Sequence, residues 1–210
     1  MKTLEIIGYQ RANLGKKESK QLREEGNVPC VLYGGDEQVH FYAPMILFRP
    51  LVYTDQAHFV TLNIEGEERR CILQDIQFHP VNEMILHADF LELHEGKLVK
   101  MNIPVQLNGT AKGVTKGGKL MHKRHFLQVR ALPKDMPDYI ELDVTDLDFG
   151  KSVKVADVPK GNYEITDNDA ISVAVIEIPR ALRGKSEDEE DEEGGEIEAE
   201  EAEAETEAEA

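Results

Sequence analysis

Residues 59–64 place Val60, Leu62 and Ile64 on one face of an extended chain, Glu65-Gly66-Glu67 supplies a turn, and residues 70–78 return as a second run. Alternation with a period of two sends successive side chains to opposite faces, so this stretch reads as a β-hairpin with one buried face. An isolated hairpin is marginal in water, so the chain must build a larger sheet around it. Residues 3–10 are β-like, residues 28–35 form an apolar run closed by Gly34 and Gly35, and another strand is expected over 84–93, after His79-Pro80. Over 43–50, Pro44 can open a helix, but Pro50 would remove the hydrogen bond to Ile46, so any helix there is short or kinked. Four or more strands with one or two short helices predict a small half-open barrel or a sandwich.

His94-Glu95-Gly96-Lys97 marks a boundary. Beyond it Val99, Met101, Ile103, Val105 and Leu107 alternate with polar residues, and Pro104 favours an edge or bulge position. Leu127, Val129 and Ala131 repeat the pattern, as do Ile140, Leu142 and Val144, and then Ile171, Val173 and Val175. The expected organisation is mainly β, with a first domain over 1–94, a second β domain over 95–183 and a tail over 184–210. The tail is Ser, Glu, Asp, Ala and Gly with Ile197 its one large apolar residue, so it cannot bury enough surface to offset ordering and is expected to be disordered.

The tail also accounts for the acidity. Residues 185–210 hold one lysine and fifteen acidic residues, −14 of the chain's −17, which leaves the body at −3. A low pI therefore does not argue against nucleic acid, because the charge that decides binding is local. In residues 11–23 it is basic: if a helix begins just after Gly15, Lys16, Lys20 and Arg23 fall on one face with Ser19 at its edge. Leu22 points to the opposite side as an anchor, and Gly26 supplies the stop. Such a ridge, entered through a glycine, suits a phosphate backbone, and a solvated surface helix is the alternative. A second cluster, residues 112–125, carries Lys112, Lys116, Lys119, Lys123 and Arg124 with no acid, and lacks the spacing of a phosphate-binding loop. It reads as a flexible basic loop for RNA or another acidic surface, or as a solvated loop.

Other functions find little support. Cys30 and Cys71 lie in apolar runs without metal-ligand spacing and read as buried thiols. His87 and Asp89, two apart, share a strand face with apolar Ile85 and Leu91, which predicts a self-satisfying hydrogen bond. A metal would need further ligands, for which only His79 and His94 are near in sequence, so none is expected. No nucleophile with its base and no pair of carboxylates in a cleft is legible, so neither an enzyme nor a cofactor is expected. The N-terminus lacks a signal-peptide core and no run spans a membrane, which makes the cytoplasm the expected compartment.

Taken together, Arg11-x3-Leu14-Gly15-Lys16-x2-Ser19-Lys20-x-Leu22-Arg23-x2-Gly26-x-Val28-Pro29-x-Val31-Leu32-Tyr33-Gly34, then Gln74-Asp75-Ile76-Gln77-x-His79-Pro80 and Leu86-His87-x-Asp89-Phe90, resemble the bacterial 5S rRNA-binding family of large-subunit ribosomal protein twenty-five. Ile103-Pro104-Val105, Gly113-Val114-x2-Gly117-Gly118-x-Leu120 and Ile140-Glu141-Leu142-Asp143-Val144 are similar to its long form, the CTC or general stress protein type. The resemblance implies a non-enzymatic ribosomal protein, monomeric within the large subunit. Its N-terminal β-barrel would dock on the loop E region of 5S rRNA through a widened minor groove. It also implies an RNA-facing set: Arg11, Lys16, Ser19, Lys20, Arg23, Tyr33, Gln74, Gln77, His87 and Asp89. The chain departs from the pattern in Lys20, where the family often has arginine, and in Phe78, where it often has a polar or basic residue. The alternative is a protein-interaction or stress-related module acting through the acidic tail.

Overall fold

The structure, a computed structural model, describes residues 1–35, 37–159 and 161–177. The acidic tail expected over 184–210 lies outside the described residues. The first strands are β1 (Lys2–Gln10), β2 (Asn27–Tyr33), β3 (Val39–Pro44), β4 (His58–Ile64), β5 (Glu67–Phe78) and β6 (Ile85–Glu92), with helix α1 (Lys16–Glu24) between β1 and β2. A 3-10 turn (Met45–Phe48) leading into α2 (Arg49–Val52) follows β3, the short helical stretch that the two prolines allow.

These strands form a closed barrel in the order β1-β3-β2-β6-β5-β4. Closure, where a half-open barrel or sandwich was expected, comes from a parallel ladder that brings Lys2 opposite His58 and Gly8 opposite Ile64. A second parallel ladder joins β2 to β6, and the remaining joints are antiparallel. The expected hairpin is β4–β5, turning at Glu65 (φ 53°) and Gly66 (φ 98°), the positive-φ pair that matches the twist of its strands. The core is the inner faces: Ile6, Cys30, Leu32, Phe41, Leu62, Cys71 and Phe90 among others, with Phe90 packed on Phe41 at 5.8 Å and on Phe48 at 6.2 Å between ring centroids. Cys30 and Cys71 are free, and burial drives both thiols far up, so they behave as apolar residues.

The strands expected beyond residue 95 are present as β7 (Val99–Asn108), β9 (Phe126–Ala131), β10 (Ile140–Asp143) and β13 (Ser172–Glu177). β8 (Lys119–His122), β11 (Ser152–Lys154) and β12 (Glu164–Ile165) are further strands that, like β3, no alternation in the sequence marks. One sheet runs β10-β7-β9-β12 and another β11-β13-β8. β7 is therefore interior, so of the edge or bulge position expected from Pro104 the edge is excluded. That proline faces Phe126 at the last pair of the β7–β9 register, where a missing N–H costs the ladder least.

The chain divides into two compact units. The first comprises Met1–Gln106, Arg124–Leu142 and Val155–Ile171; the second takes in Leu107–Lys123, Asp143–Lys154 and the described residues from Ser172. In the second, Ala111, Val144, Leu147 and Ile176 form a small core, with Leu107, Leu120, Phe149 and Val153 packed against it. Among the described residues no helix is long and apolar enough to cross a membrane.

Candidate nucleic-acid interface

Helix α1 starts directly after Gly15, whose carbonyl accepts from the Ser19 N–H at 3.0 Å, and ends at Gly26 (φ 81°). It packs on β2. Lys16, Lys17 and Lys20 are exposed, whereas Ser19, Leu22 and Arg23 are half-buried. The ridge expected from spacing is thus divided. Arg23 lies at the border of the buried face, and its Nε donates to the Leu86 carbonyl at 2.9 Å. Arg11 is likewise engaged: its Nη2 donates to Ser19 Oγ at 3.0 Å, and Ser19 Oγ donates to the Gly15 carbonyl at 2.9 Å. Two of the five cations in residues 11–23 therefore brace the helix against the barrel, while Lys16, Lys17 and Lys20 stand in solvent. The Lys20–Glu24 pair, 3.7 Å apart and largely exposed, restrains Lys20 little.

Beside α1 the outer face of β2, β6 and β5 is organised by two bulges. Leu73 faces Phe90 while Asp75 faces Asp89, so Gln74 is an extra residue on β5; Gln77 faces His87 while Phe78 faces Ile85, so Leu86 is an extra residue on β6. Each bulge moves its strand by one residue in phase. Cys71 and Leu73 join the core before the first and Ile76 after it; Ile85 joins the core while His87 points outward. Ile85 therefore does not share the face of His87 and Asp89, as regular alternation implied, although half-buried Leu91 does. The Leu86 carbonyl that accepts from Arg23 belongs to the second bulge, which ties the helix to the irregularity that exposes His87.

The result is one outer strip carrying Tyr33, Asp75, Gln77, His87 and Asp89. His87 Nδ1 is 2.6 Å from Asp89 Oδ1, so Nδ1–H donates to the carboxylate and Nε2 is left to the outside. This is the satisfied pair that the sequence predicts. Asp75, absent from the expected set, faces Asp89 across the strands, and burial together with the Asp89 and Asp75 charges pushes the Tyr33 hydroxyl up. The signal for it was the half-step between the apolar pair Cys71/Leu73 and Ile76. Gln74 is exposed at its bulge and lines a groove described below. His79 and His94 go elsewhere: His79 Nδ1 accepts from the Val81 and Asn82 N–H groups, and His94 Nε2 donates to the Gly34 carbonyl at 2.8 Å. Among the described residues no three His, Cys, Asp or Glu side chains are grouped to hold a metal ion.

Two opposed carboxylates repel a phosphate. What this strip offers is acceptors at Asp75, Asp89 and His87 Nε2, with amide and phenol groups that both donate and accept. Ribose hydroxyls and base edges match that set, while the exposed lysines of α1 match phosphates.

The second basic cluster is a built segment rather than a flexible loop. It contains one turn of helix, α3 (Lys112–Thr115), and β8. A Cβ on Gly118 would lie 2.6 Å from Ile176 Cγ2, and one on Gly113 2.9 Å from Ile176 Cδ1, so these glycines serve packing. Lys112 pairs with Asp146 at 2.7 Å and Lys116 with Asp148 at 2.9 Å, whereas Lys119, Lys123 and Arg124 are exposed.

Residues 6–90 match the family model of the ribosomal L25p family, and residues 98–180 that of the C-terminal domain of ribosomal protein TL5. The chain is 56% identical over 183 residues to large ribosomal subunit protein bL25 of Cytophaga hutchinsonii, covering 87% of this chain and 95% of that one. It is 59% identical over 183 residues to the bL25 of Amoebophilus asiaticus, covering 87% and 93%. With the bL25 of Phocaeicola vulgatus it shares 43% over 191 residues, covering 88% and 96%.

Proposed function

The chain belongs to the bacterial bL25 family of large-subunit ribosomal proteins, in its two-domain CTC form, and from this premise we propose that it binds 5S rRNA through the outer face of its N-terminal barrel. It is a structural component of the large ribosomal subunit and not an enzyme.

The observation that carries the 5S rRNA reading is the division of the face into two chemistries. Exposed Lys16 and Lys20 on α1 neutralise backbone phosphate, while Tyr33, Gln77, His87 and Asp89, with Asp75 beside them, meet ribose hydroxyls and base edges. A patch with two carboxylates cannot be a general phosphate binder, so it selects RNA whose minor groove is wide enough to present donors. That condition fits the non-Watson–Crick pairs of the loop E region. Arg11, Ser19 and Arg23 set the helix in place, and the Nη–H groups that the two arginines leave uncommitted are offered to the same backbone. The two family models part between residues 90 and 98, which supports a domain boundary near 94, with RNA binding on its N-terminal side. Lys119, Lys123 and Arg124 form a second basic surface for neighbouring rRNA, to which Lys112 and Lys116 contribute less because each already has a carboxylate.

The test is an equilibrium titration of the full chain with 5S rRNA and with an unrelated duplex RNA at several salt concentrations. Tight, selective binding is expected, weakened in His87→Ala. A His87→Ala protein that folds normally and binds 5S rRNA with unchanged affinity contradicts the role given to this strip. Weak, unselective binding by the unaltered chain contradicts the reading altogether.

A further inference from the structure

Phe78 and Phe126 are each 42% exposed, and both line a groove of about 410 Å³ that lies wholly within the first unit. Neither ring packs against another aromatic ring among the described residues. Gln56, Gln74, Asn102 and Gln128 join the lining, Gln56 Oε1 already accepting from Lys2 Nζ at 2.9 Å, as does Lys100, which forms no ion pair among the described residues.

We infer that this groove receives one unstacked nucleotide of the RNA bound by the barrel, stacked on Phe78 or Phe126 and read by the carboxamides around it. The inference rests on the RNA reading above. Its first support is chemical. Every base has an apolar face and an edge carrying both donors and acceptors; the groove offers half-exposed rings for the one and four carboxamides, each with donor and acceptor capacity, for the other. An apolar protein side chain would gain nothing from those amides, and a phosphate alone would gain nothing from the rings. The volume falls within the roughly 300–1,000 Å³ of small-molecule sites, enough for one nucleotide and too small for a duplex. Lys100 supplies charge for its phosphate.

The second support is continuity. Gln74 is the bulged residue of β5 and Asp75 opposes Asp89 on the outer strip, and both also line the groove. An RNA lying on the strip therefore reaches the groove without leaving the protein surface. The groove also draws Lys100, Asn102, Phe126 and Gln128 from β7 and β9, so a chain ending with the barrel would lack that side of the lining.

The experiment titrates the full chain and its Phe126→Ala, Phe126→Leu, Phe78→Ala and Val81→Ala variants with 5S rRNA, with thermal unfolding of each variant as a check on the fold. Val81 is exposed and does not line the groove. A stacked base is expected to cost roughly five- to a hundredfold in affinity when its ring is removed. That loss should appear in Phe126→Ala or Phe78→Ala, with Val81→Ala unaffected. If it falls on Phe126, Phe126→Leu should lose nearly as much, because leucine keeps the apolar volume without the flat face. Unchanged affinity in both alanine variants overturns the inference while leaving the RNA reading intact. So does recovery in Phe126→Leu, which would make the groove an apolar contact site. No binding by the unaltered chain defeats the RNA reading and this inference with it.

Discussion

Replacing Arg23 by alanine removes a charge-assisted hydrogen bond of 2.9 Å to the Leu86 carbonyl, which lies at a bulge. Hydrogen bonds to charged groups contribute about 1.5–3 kcal/mol net, and the half-buried position places this one towards the lower figure. Helix α1 has nine residues and no fully buried side chain. Isolated helices shorter than roughly 12–15 residues are marginal in water, so α1 persists because it is docked. The loss should therefore fall on docking and not on the barrel. The assay is amide hydrogen exchange at Ser19, Glu25 and Gly26, whose N–H groups bond within or at the end of the helix. In Arg23→Ala these amides should exchange about tenfold faster or more, with those of β4 and β5 unchanged. Arg23→Lys should fall between, since lysine keeps the charge and loses the Nε geometry. On 5S rRNA, Lys20→Ala should reduce the salt slope by about 0.7–0.9 if Lys20 meets a phosphate, whereas Arg23→Ala should weaken binding with a smaller change in slope. Exchange in α1 within about threefold of the unaltered protein would refute the assignment of Arg23 as a brace.

Gly15 has φ −150° and ψ 161°, extended backbone open to any residue, and a Cβ there meets open space. Gly15→Ala should change thermal stability by no more than about 0.5 kcal/mol, so any loss of RNA affinity would report close approach of the RNA backbone. Gly118→Ala should cost about 1–3 kcal/mol by overpacking against Ile176 and the Gly113 carbonyl, seen as a lower unfolding temperature. Hydrogen bonds from Lys116 and the Phe149 N–H hold the Asp148 carboxyl below its ordinary range. A carboxyl lowered on folding contributes stability above its unfolded pKa and loses it as pH falls through the folded value. Unfolding temperature should therefore decline on acidification through and below the usual aspartate range, and less steeply in Lys116→Ala; equal slopes would rule out this linkage.

Period-two alternation was legible wherever strands are regular, as in β4, β7 and β9. Barrel closure was not, because the parallel joint of β1 to β4 leaves no mark on either strand's own pattern. Nor was the side of the chain on which Ile85 falls. A bulge shifts the phase by one residue, and alternation carried across Leu86 assigns Ile85 to the wrong face. The basic ridge was legible as a cluster of charge, but spacing alone does not say which cations fold back. Arg11 and Arg23 do so because Ser19 and the Leu86 carbonyl are within reach. In the second cluster a run of lysines and glycines hid a strand and two close packings, since the carboxylates that pair with Lys112 and Lys116 lie some thirty positions further along.

The two parallel joints also order the events by which the barrel is made. Synthesis delivers β1 first and β6 last, yet β6 is the strand between β2 and β5. Until Ile85–Glu92 has emerged, a nascent chain can at most hold an open sheet of five strands with β2 and β5 as bare edges and its apolar inner face uncovered. Open edges of that kind recruit other chains. Closure must also draw Lys2 to His58 across most of the domain, a long-range pairing that slows folding. The completed cylinder thus comes only at the end of the domain's synthesis, and a fragment stopping before Ile85 should aggregate instead of folding.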